Sequence, residues 1–153
     1  MRWLELKVPP PAVAVVFGVL MWLASRLVAP VDVSFGIRVI LAVVIASVGT
    51  VFGIRGMASF VRAKTTMNPI KPGATLSLVS SGIFRITRNP MYLSLLLYLL
   101  AWTVYLSSWP AVLFLPVFVL YITQFQIKPE ERALSALFGE EYASYRARVR
   151  RWL

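Results

Sequence analysis

Long apolar runs separated by short polar breaks dominate this chain, and the pattern predicts four membrane spans. The first runs from about Pro11 to Val28, roughly the length that crosses a hydrocarbon core, with Pro9, Pro10 and Pro11 marking its start. Ala29-Pro30-Val31-Asp32 makes a short turn, and the second span covers about Val33 to Val61, interrupted by Arg38 near one end and Arg55 near the other. Residues 62–88 form a polar connection punctuated by Asn68-Pro69, Lys71-Pro72-Gly73 and Ser80-Ser81-Gly82, within which Ala74 to Val79 is apolar enough to skim an interface. The third span covers about Pro90 to Leu106, the uncharged turn Ser107-Ser108-Trp109-Pro110 follows, and the fourth runs from about Ala111 to Ile127. Lys128-Pro129 is expected to break or bend that helix. Glu130 to Arg151 reads as one or two amphipathic helices divided near Gly139. The predicted fold class is an all-α integral membrane protein, a single domain over residues 1–153 with polar flanks at 65–92 and 126–150.

Composition supports the membrane reading: 59% of residues are apolar, 14% are charged, and the mean hydropathy is +0.75. With no cysteine and no histidine, disulfides, thiolate nucleophiles, histidine bases and the usual zinc sites are excluded, and no metal site is expected. A formal charge of +10 raises nucleic acid as a partner. The basic residues lie between and after the apolar runs, however, which fits a membrane surface and not a nucleic-acid groove. Of the 16 basic residues, only Arg26 and Arg38 fall on one side of the predicted bilayer, and Arg55 lies inside the second span. The remainder cluster on the side of both termini and the 62–88 connection, which is therefore predicted to be cytoplasmic. The first apolar run reads as a retained span, not a cleaved leader.

Against this background the stretch SSGIFRITRNPMYLS, residues 80–94, gathers polar residues at the mouth of the third span. Asn89-Pro90 predicts a helix start, asparagine being a preferred N-cap and proline suiting the first helical position. Free backbone N–H groups, the positive end of the helix dipole, Arg85 and Arg88 together favour an anionic group there. The competing reading is a plain span start whose arginines anchor on lipid phosphates. The second polar concentration is residues 128–152. Glu130 and Glu131 are two of six acidic residues and emerge from the fourth span on the side where Arg88 and Asn89 enter the third. A four-residue turn makes these two spans antiparallel neighbours, so acid and base converge over one cleft suited to a zwitterion. Glu140, Arg146, Arg148, Arg150 and Arg151 read instead as the solvated face of a helix lying on the bilayer.

Gly82-Ile83-Phe84-Arg85, Arg88-Asn89-Pro90-Met91-Tyr92, Glu130-Glu131 and Phe138-Gly139-Glu140-Glu141-Tyr142 together resemble the C-terminal core of the isoprenylcysteine carboxyl methyltransferases, a pattern largely shared by the related phospholipid N-methyltransferases. The resemblance covers about residues 65–150. It implies S-adenosylmethionine as cofactor, contacted by Leu76, Ser77, Leu78 and Val79, by Phe84 (where relatives often have tyrosine), by Arg88, Asn89, Pro90, Met91 and Tyr92, and by Glu130 and Glu131. In the prenylcysteine enzymes an arginine one turn before the glutamate holds the substrate carboxylate. Gln126 stands there in this chain, without charge, and Arg55 of the second span is the candidate to compensate. The implied reaction is direct methyl transfer to a lipophilic acceptor entering from the bilayer, either a prenylcysteine-like carboxylate or a lipid amine or hydroxyl. Two other classes share parts of the pattern: a sterol-reductase-like enzyme using NADPH, and a non-catalytic lipid-binding membrane protein.

Overall fold

The computed structural model describes residues 5–63 and 77–153. Asn68-Pro69, Lys71-Pro72-Gly73 and the first half of the apolar 74–79 segment, Leu76 included, lie outside the described residues. Helix α1 spans Pro10–Ser25, α2 Phe35–Arg62, α3 Pro90–Leu106, α4 Trp109–Val112, α5 Phe114–Ile122 and α6 Lys128–Arg148. A 3₁₀ turn at Gly82–Arg85 precedes α3, and a π-helical turn at Thr123–Ile127 joins α5 to α6. No strand occurs among the described residues. Uniform helix is what such apolar runs demand, because in hydrocarbon each backbone N–H and C=O must be paired within its own segment.

Among the described residues, two helical stretches are long and apolar enough to cross a membrane: α2, with 28 residues and a mean hydropathy of 2.4 over its most apolar window, and the continuous run Trp109–Arg148. Only 6% of that α2 window is buried, so α2 is not the core helix of a water-soluble fold. Helices α1 and α3 are equally apolar in character but shorter, at 16 and 17 residues.

The helix is not broken at Lys128-Pro129: the helical run Trp109–Arg148 continues through it, with a π-helical turn at Thr123–Ile127 just before. Proline has no N–H, so Pro129 leaves the carbonyl of Phe125, four residues earlier, without its helical donor. The chain absorbs this in two ways. The preceding turn widens to a π-helix, and the backbone N–H of Leu6 donates to the Phe125 carbonyl at 3.1 Å. The side chain of Gln126 then donates to the Val8 carbonyl at 2.9 Å, so the N-terminal segment is fastened to the π turn at two points. A consequence is that Glu130 and Glu131 do not sit at a free helix N-terminus, and the helix dipole is not the reason for their position. The predicted division at Gly139 is present, with φ 46° and ψ −119°, a conformation that only glycine adopts without strain. A smaller interruption separates α4 from α5 at Leu113, one turn before Pro116, for the same missing-donor reason.

Helices α2 and α3 form the closest pair. Gly49, Gly53 and Gly56 line the contact, and a Cβ on Gly53 would lie 2.9 Å from Ser94 Oγ, while one on Gly56 would lie 3.2 Å from carbons of both Pro90 and Met91. In lipid this close approach replaces the hydrophobic drive that packs helices in water. The opposite face of α3 meets α1 and α5 in an apolar core around Phe17, Met21, Leu99, Phe118 and Ile122, with Phe17 edge-on to Phe118 at 5.4 Å. At the end remote from α6, the two turns are tied by Val31 N–H to the Ser107 carbonyl at 2.8 Å and Ser107 Oγ–H to the Val31 carbonyl at 2.9 Å. The buried charged side chains lie at the other end.

Candidate functional site

The mouth of α3 begins as expected with Pro90 in the first turn and Asn89 before it, but the Asn89 side chain does not cap the helix. Its Nδ2 donates instead to the backbone carbonyl of Arg151 at 2.9 Å. The Thr87 hydroxyl donates to the same carbonyl at 3.3 Å, and the Arg88 backbone N–H donates to the Arg150 carbonyl at 3.0 Å. After α6 the chain turns extended at Val149 (φ −123°, ψ 132°) and doubles back, so its last residues brace the Thr87–Asn89 turn.

Charge is organised around Glu131. Arg151 donates to both of its carboxylate oxygens, Nε to Oε1 at 2.9 Å and a terminal nitrogen to Oε2 at 2.8 Å, while Arg88 lies 3.1 Å from Oε1. Burial by itself raises the Glu131 carboxyl, but the Arg151 hydrogen bonds and the charges of Arg88, Arg151 and Arg146 outweigh it and hold it below the ordinary carboxylate value. Arg88 also donates to the Tyr142 hydroxyl at 3.3 Å, and its Nε is buried without a partner. Arg151, expected to be a solvated tail residue, is therefore part of the ion-pair cluster. Arg146, Arg148 and Arg150 are exposed, as are Glu140 and Glu141.

Glu130 is in the opposite situation. It accepts a hydrogen bond from the Tyr92 hydroxyl at 2.5 Å, across from α3 to α6, and forms no ion pair among the described residues. Burial pushes its carboxyl up to about 7, the Tyr92 bond working against this and the neighbouring Glu131 charge adding to it. Two adjacent carboxyls thus have separate chemistry, one locked as an anion in an ion-pair cluster and one poised to gain or lose a proton near neutrality.

Two cavities adjoin here. The inner one, of about 100 Å³, is lined by Ser77, Leu78 and Val79, by Phe84, Arg88 and Asn89, and by Glu130, Glu131, Phe60, Tyr142 and Tyr145. The outer one, of about 430 Å³, is bounded by Pro90, Met91, Tyr92, Ser94 and Gln126, together with Gly53 and Met57 of α2 and Pro10 and Pro11 of α1. Phe60, Phe84, Arg88, Asn89 and Glu130 line both. The candidate residues named from the sequence thus fall around one pair of cavities, with two exceptions. Leu76 is outside the described residues, and Arg55 is exposed on α2 and lines neither cavity. Arg55 therefore does not compensate for the missing cation at Gln126. Gln126 itself is buried, with its amide nitrogen committed to Val8.

Phe60, Tyr142 and Tyr145 were not anticipated as cavity residues. Tyr142 and Tyr145 lie three apart on one face of α6, a spacing visible in the sequence. Tyr145 donates to the Phe84 carbonyl at 2.7 Å and so pins the 3₁₀ turn, while Phe60 packs edge-on to Phe84 at 5.4 Å. Burial raises both tyrosine hydroxyls above their ordinary value, so both remain neutral, Tyr145 as a donor and Tyr142 as the acceptor of the Arg88 bond.

A family model described as phospholipid methyltransferase matches residues 37–141, from the first turn of α2 to just past the Gly139 bend. An uncharacterized protein of Haemophilus influenzae (strain ATCC 51907 / DSM 11121 / KW20 / Rd) is 56% identical over 63 residues, 41% of this chain and 100% of the relative. No solved structure matches the chain.

Proposed function

The chain belongs to the phospholipid methyltransferase family, and from that premise we propose that it is a four-span membrane enzyme that moves a methyl group from S-adenosylmethionine to the polar head of a lipid acceptor. The observation that carries this reading is the pair of adjoining cavities that share Arg88, Asn89 and Glu130. A two-substrate transfer needs two such spaces meeting at one wall. The outer cavity, at about 430 Å³, lies within the roughly 300–1,000 Å³ usual for ligand sites, and the inner, at about 100 Å³, is smaller.

The residues suit the cofactor's chemistry. The unpartnered, buried Nε of Arg88 is a donor that calls for an anionic oxygen, as a carboxylate would provide. Glu130 is an acceptor for an ammonium group, and Phe60, Phe84 and Leu78 offer apolar faces to a purine. Bound there, S-adenosylmethionine would supply an electrophilic methyl carbon, with a neutral thioether as leaving group.

The chain's own part is positioning and proton handling. Arg88 and Asn89 are held by the C-terminal clamp, Glu130 by Tyr92, and apolar walls exclude water. A lipid amine is the favoured acceptor. An ammonium head must lose a proton to become a nucleophile, and a Glu130 carboxylate beside the outer cavity, with a value near 7, is matched to receive it. A prenylcysteine carboxylate is less well served, because Gln126 supplies no charge. Both termini and the connection before α3 are proposed to face the cytoplasm, following the excess of basic residues on that side.

Calorimetry on purified protein with S-adenosylmethionine and, separately, NADPH tests the cofactor. Transfer of a labelled methyl group to phosphatidylethanolamine vesicles, against a farnesylated cysteine, tests the acceptor. Heat with NADPH and none with S-adenosylmethionine overturns the proposal. Methylation of the prenylcysteine alone overturns the choice of acceptor.

A further inference from the structure

Helix α2 turns its glycines toward α3 and leaves another face uncovered, and that face carries charge. Val44, Val48, Val51, Arg55 and Arg62 follow one another at steps of four, three, four and seven residues, so they form one stripe along the helix. All five are exposed. The hydroxyls beside the stripe are satisfied within α2 itself: Ser47 donates to the Val43 carbonyl at 2.8 Å and Ser59 to the Arg55 carbonyl at 2.9 Å. The two guanidiniums are not compensated in this way. The chain's six acidic side chains all lie among the described residues, and none of them pairs with Arg55 or Arg62. We propose that this end of the α2 stripe is a binding site for an anionic phospholipid, whose phosphate is held by Arg55 and Arg62.

The depth of the two arginines suits a phosphate. No charged residue lies between Arg38 and Arg55, and over that interval the helix rises about 26 Å, close to the roughly 30 Å of a hydrocarbon core. Helices α1 and α3, of 16 and 17 residues, give about the same height. Arg55 therefore stands at the margin of the hydrocarbon, where its long side chain reaches the headgroup layer without crossing the core. Arg62 is two turns, about 10 Å, farther out on the same stripe. Charge then selects the occupant. A zwitterionic lipid brings an ammonium of its own and leaves the pair of cations partly uncompensated, whereas an anionic head neutralises them. A second copy of the chain packed on this stripe about a two-fold axis would set Arg55 against its like. A free phosphate would meet the cations but has no counterpart to the apolar Val44, Val48 and Val51 beneath them. The stripe faces away from the outer cavity, which Arg55 does not line, so this site stands apart from the reading of that cavity.

A bimane fluorophore on a single cysteine at Val51, one turn before Arg55 in this cysteine-free chain, reads the lipid at the site. The full-length labelled protein is reconstituted in phosphatidylcholine containing increasing fractions of brominated phosphatidylglycerol or of brominated phosphatidylcholine, and quenching gives their relative affinity. Phosphatidylglycerol should be preferred by about fivefold or more at Val51, each cation near a membrane surface being worth about a factor of five. No such preference is expected at Val117, an exposed position on α5. Arg55→Gln should lower the preference at Val51 about fivefold, Arg55→Lys should keep most of it, and Arg148→Gln, which removes an exposed charge elsewhere, should leave it unchanged. Arg62→Gln gives a second reading should Arg55→Gln fail to fold. Equal quenching by the two lipids at Val51, or a loss as large in Arg148→Gln as in Arg55→Gln, overturns the site and leaves only diffuse attraction to a chain of formal charge +10. Loss of the preference in excess inorganic phosphate gives the cations to a free anion and also overturns it. Shielding of Val51 from both lipids, with disulfide formation between chains at the unlabelled cysteine, puts a second copy on the stripe and does the same. The measurement needs no turnover, so it stands or falls separately from methyl transfer.

Discussion

Replacing Arg151 by alanine tests whether the doubled-back C-terminus holds the site together. The substitution removes two charge-assisted hydrogen bonds to Glu131, at 2.9 and 2.8 Å, but leaves the backbone carbonyl that receives Asn89 and Thr87. A buried hydrogen bond to a charged group contributes about 1.5–3 kcal/mol, whereas an exposed ion pair contributes about 0–1 kcal/mol. The Arg151 side chain is 34% exposed and that of Glu131 only 11%, so the pair lies between these limits. Glu131 also keeps Arg88 at 3.1 Å and is not orphaned. The expected loss is about 1–2 kcal/mol, read as a fall of a few degrees in thermal unfolding of the purified protein. Arg148→Ala is the control. Its bond is to the Ser144 carbonyl of its own helix at 3.3 Å, and the change should stay within about 0.5 kcal/mol. Glu131→Gln should cost more than Arg151→Ala, about 3 kcal/mol, because it strips the counter-ion from an Arg88 side chain only 10% exposed. The pH dependence has a definite sign. Glu131's carboxyl is depressed by folding from 4.5, so its contribution is complete above that value and is lost as pH falls through the lower folded value. In Arg151→Ala, whose Glu131 carboxyl is less depressed, that loss should be smaller and complete at higher pH. Equal melting of the Arg151 and Arg148 variants, with identical acid profiles, would refute the clamp.

Glu130→Gln should weaken S-adenosylmethionine binding by about 1.5–3 kcal/mol in calorimetry, the value of a lost charged hydrogen bond. Because folding raises the Glu130 carboxyl from 4.5 to about 7, the folded state holds the extra proton in that window and stability falls as pH rises through it. Methyl transfer to an amine should climb through the same range, and both dependences should vanish in Glu130→Gln. Gly53→Leu should prevent the normal α2–α3 approach and cost about 3 kcal/mol or more, since even a Cβ would meet Ser94 Oγ at 2.9 Å; unchanged melting would contradict the close packing. Single cysteines introduced at Asp32 and Arg148 of this cysteine-free chain should label from opposite faces of sealed vesicles, and labelling of both from one face would remove the four-span topology.

What could be read from the residues in advance was whatever local chemistry dictates. The helices at Pro10, Phe35 and Pro90 follow from apolar runs with proline or a turn at their start. The bend at Gly139 follows from a residue free of a Cβ. The meeting of Arg88, Asn89 and Tyr92 with Glu130 and Glu131 follows from a short turn between antiparallel helices. Most of the misreadings concern residues whose partner is far away in the chain. Asn89 had the identity of an N-cap, but the Arg151 carbonyl, 62 residues on, competes for its side chain. Arg151 read as solvated because nothing local announces the reversal at Val149. Arg55 was assigned by charge alone, and the face of α2 that meets α3 was set by its glycines, which orient Gly53 and Gly56 inward and leave Arg55 exposed. Lys128-Pro129 is the instructive case. The rule that proline ends a helix holds when the freed carbonyl has no other donor. Here the Leu6 N–H supplies one and Gln126 anchors the same segment through Val8. The π turn then carries Glu130 onward beside Tyr92, so the N-terminal segment, which contributes no charge to the site, is part of what positions its carboxyl.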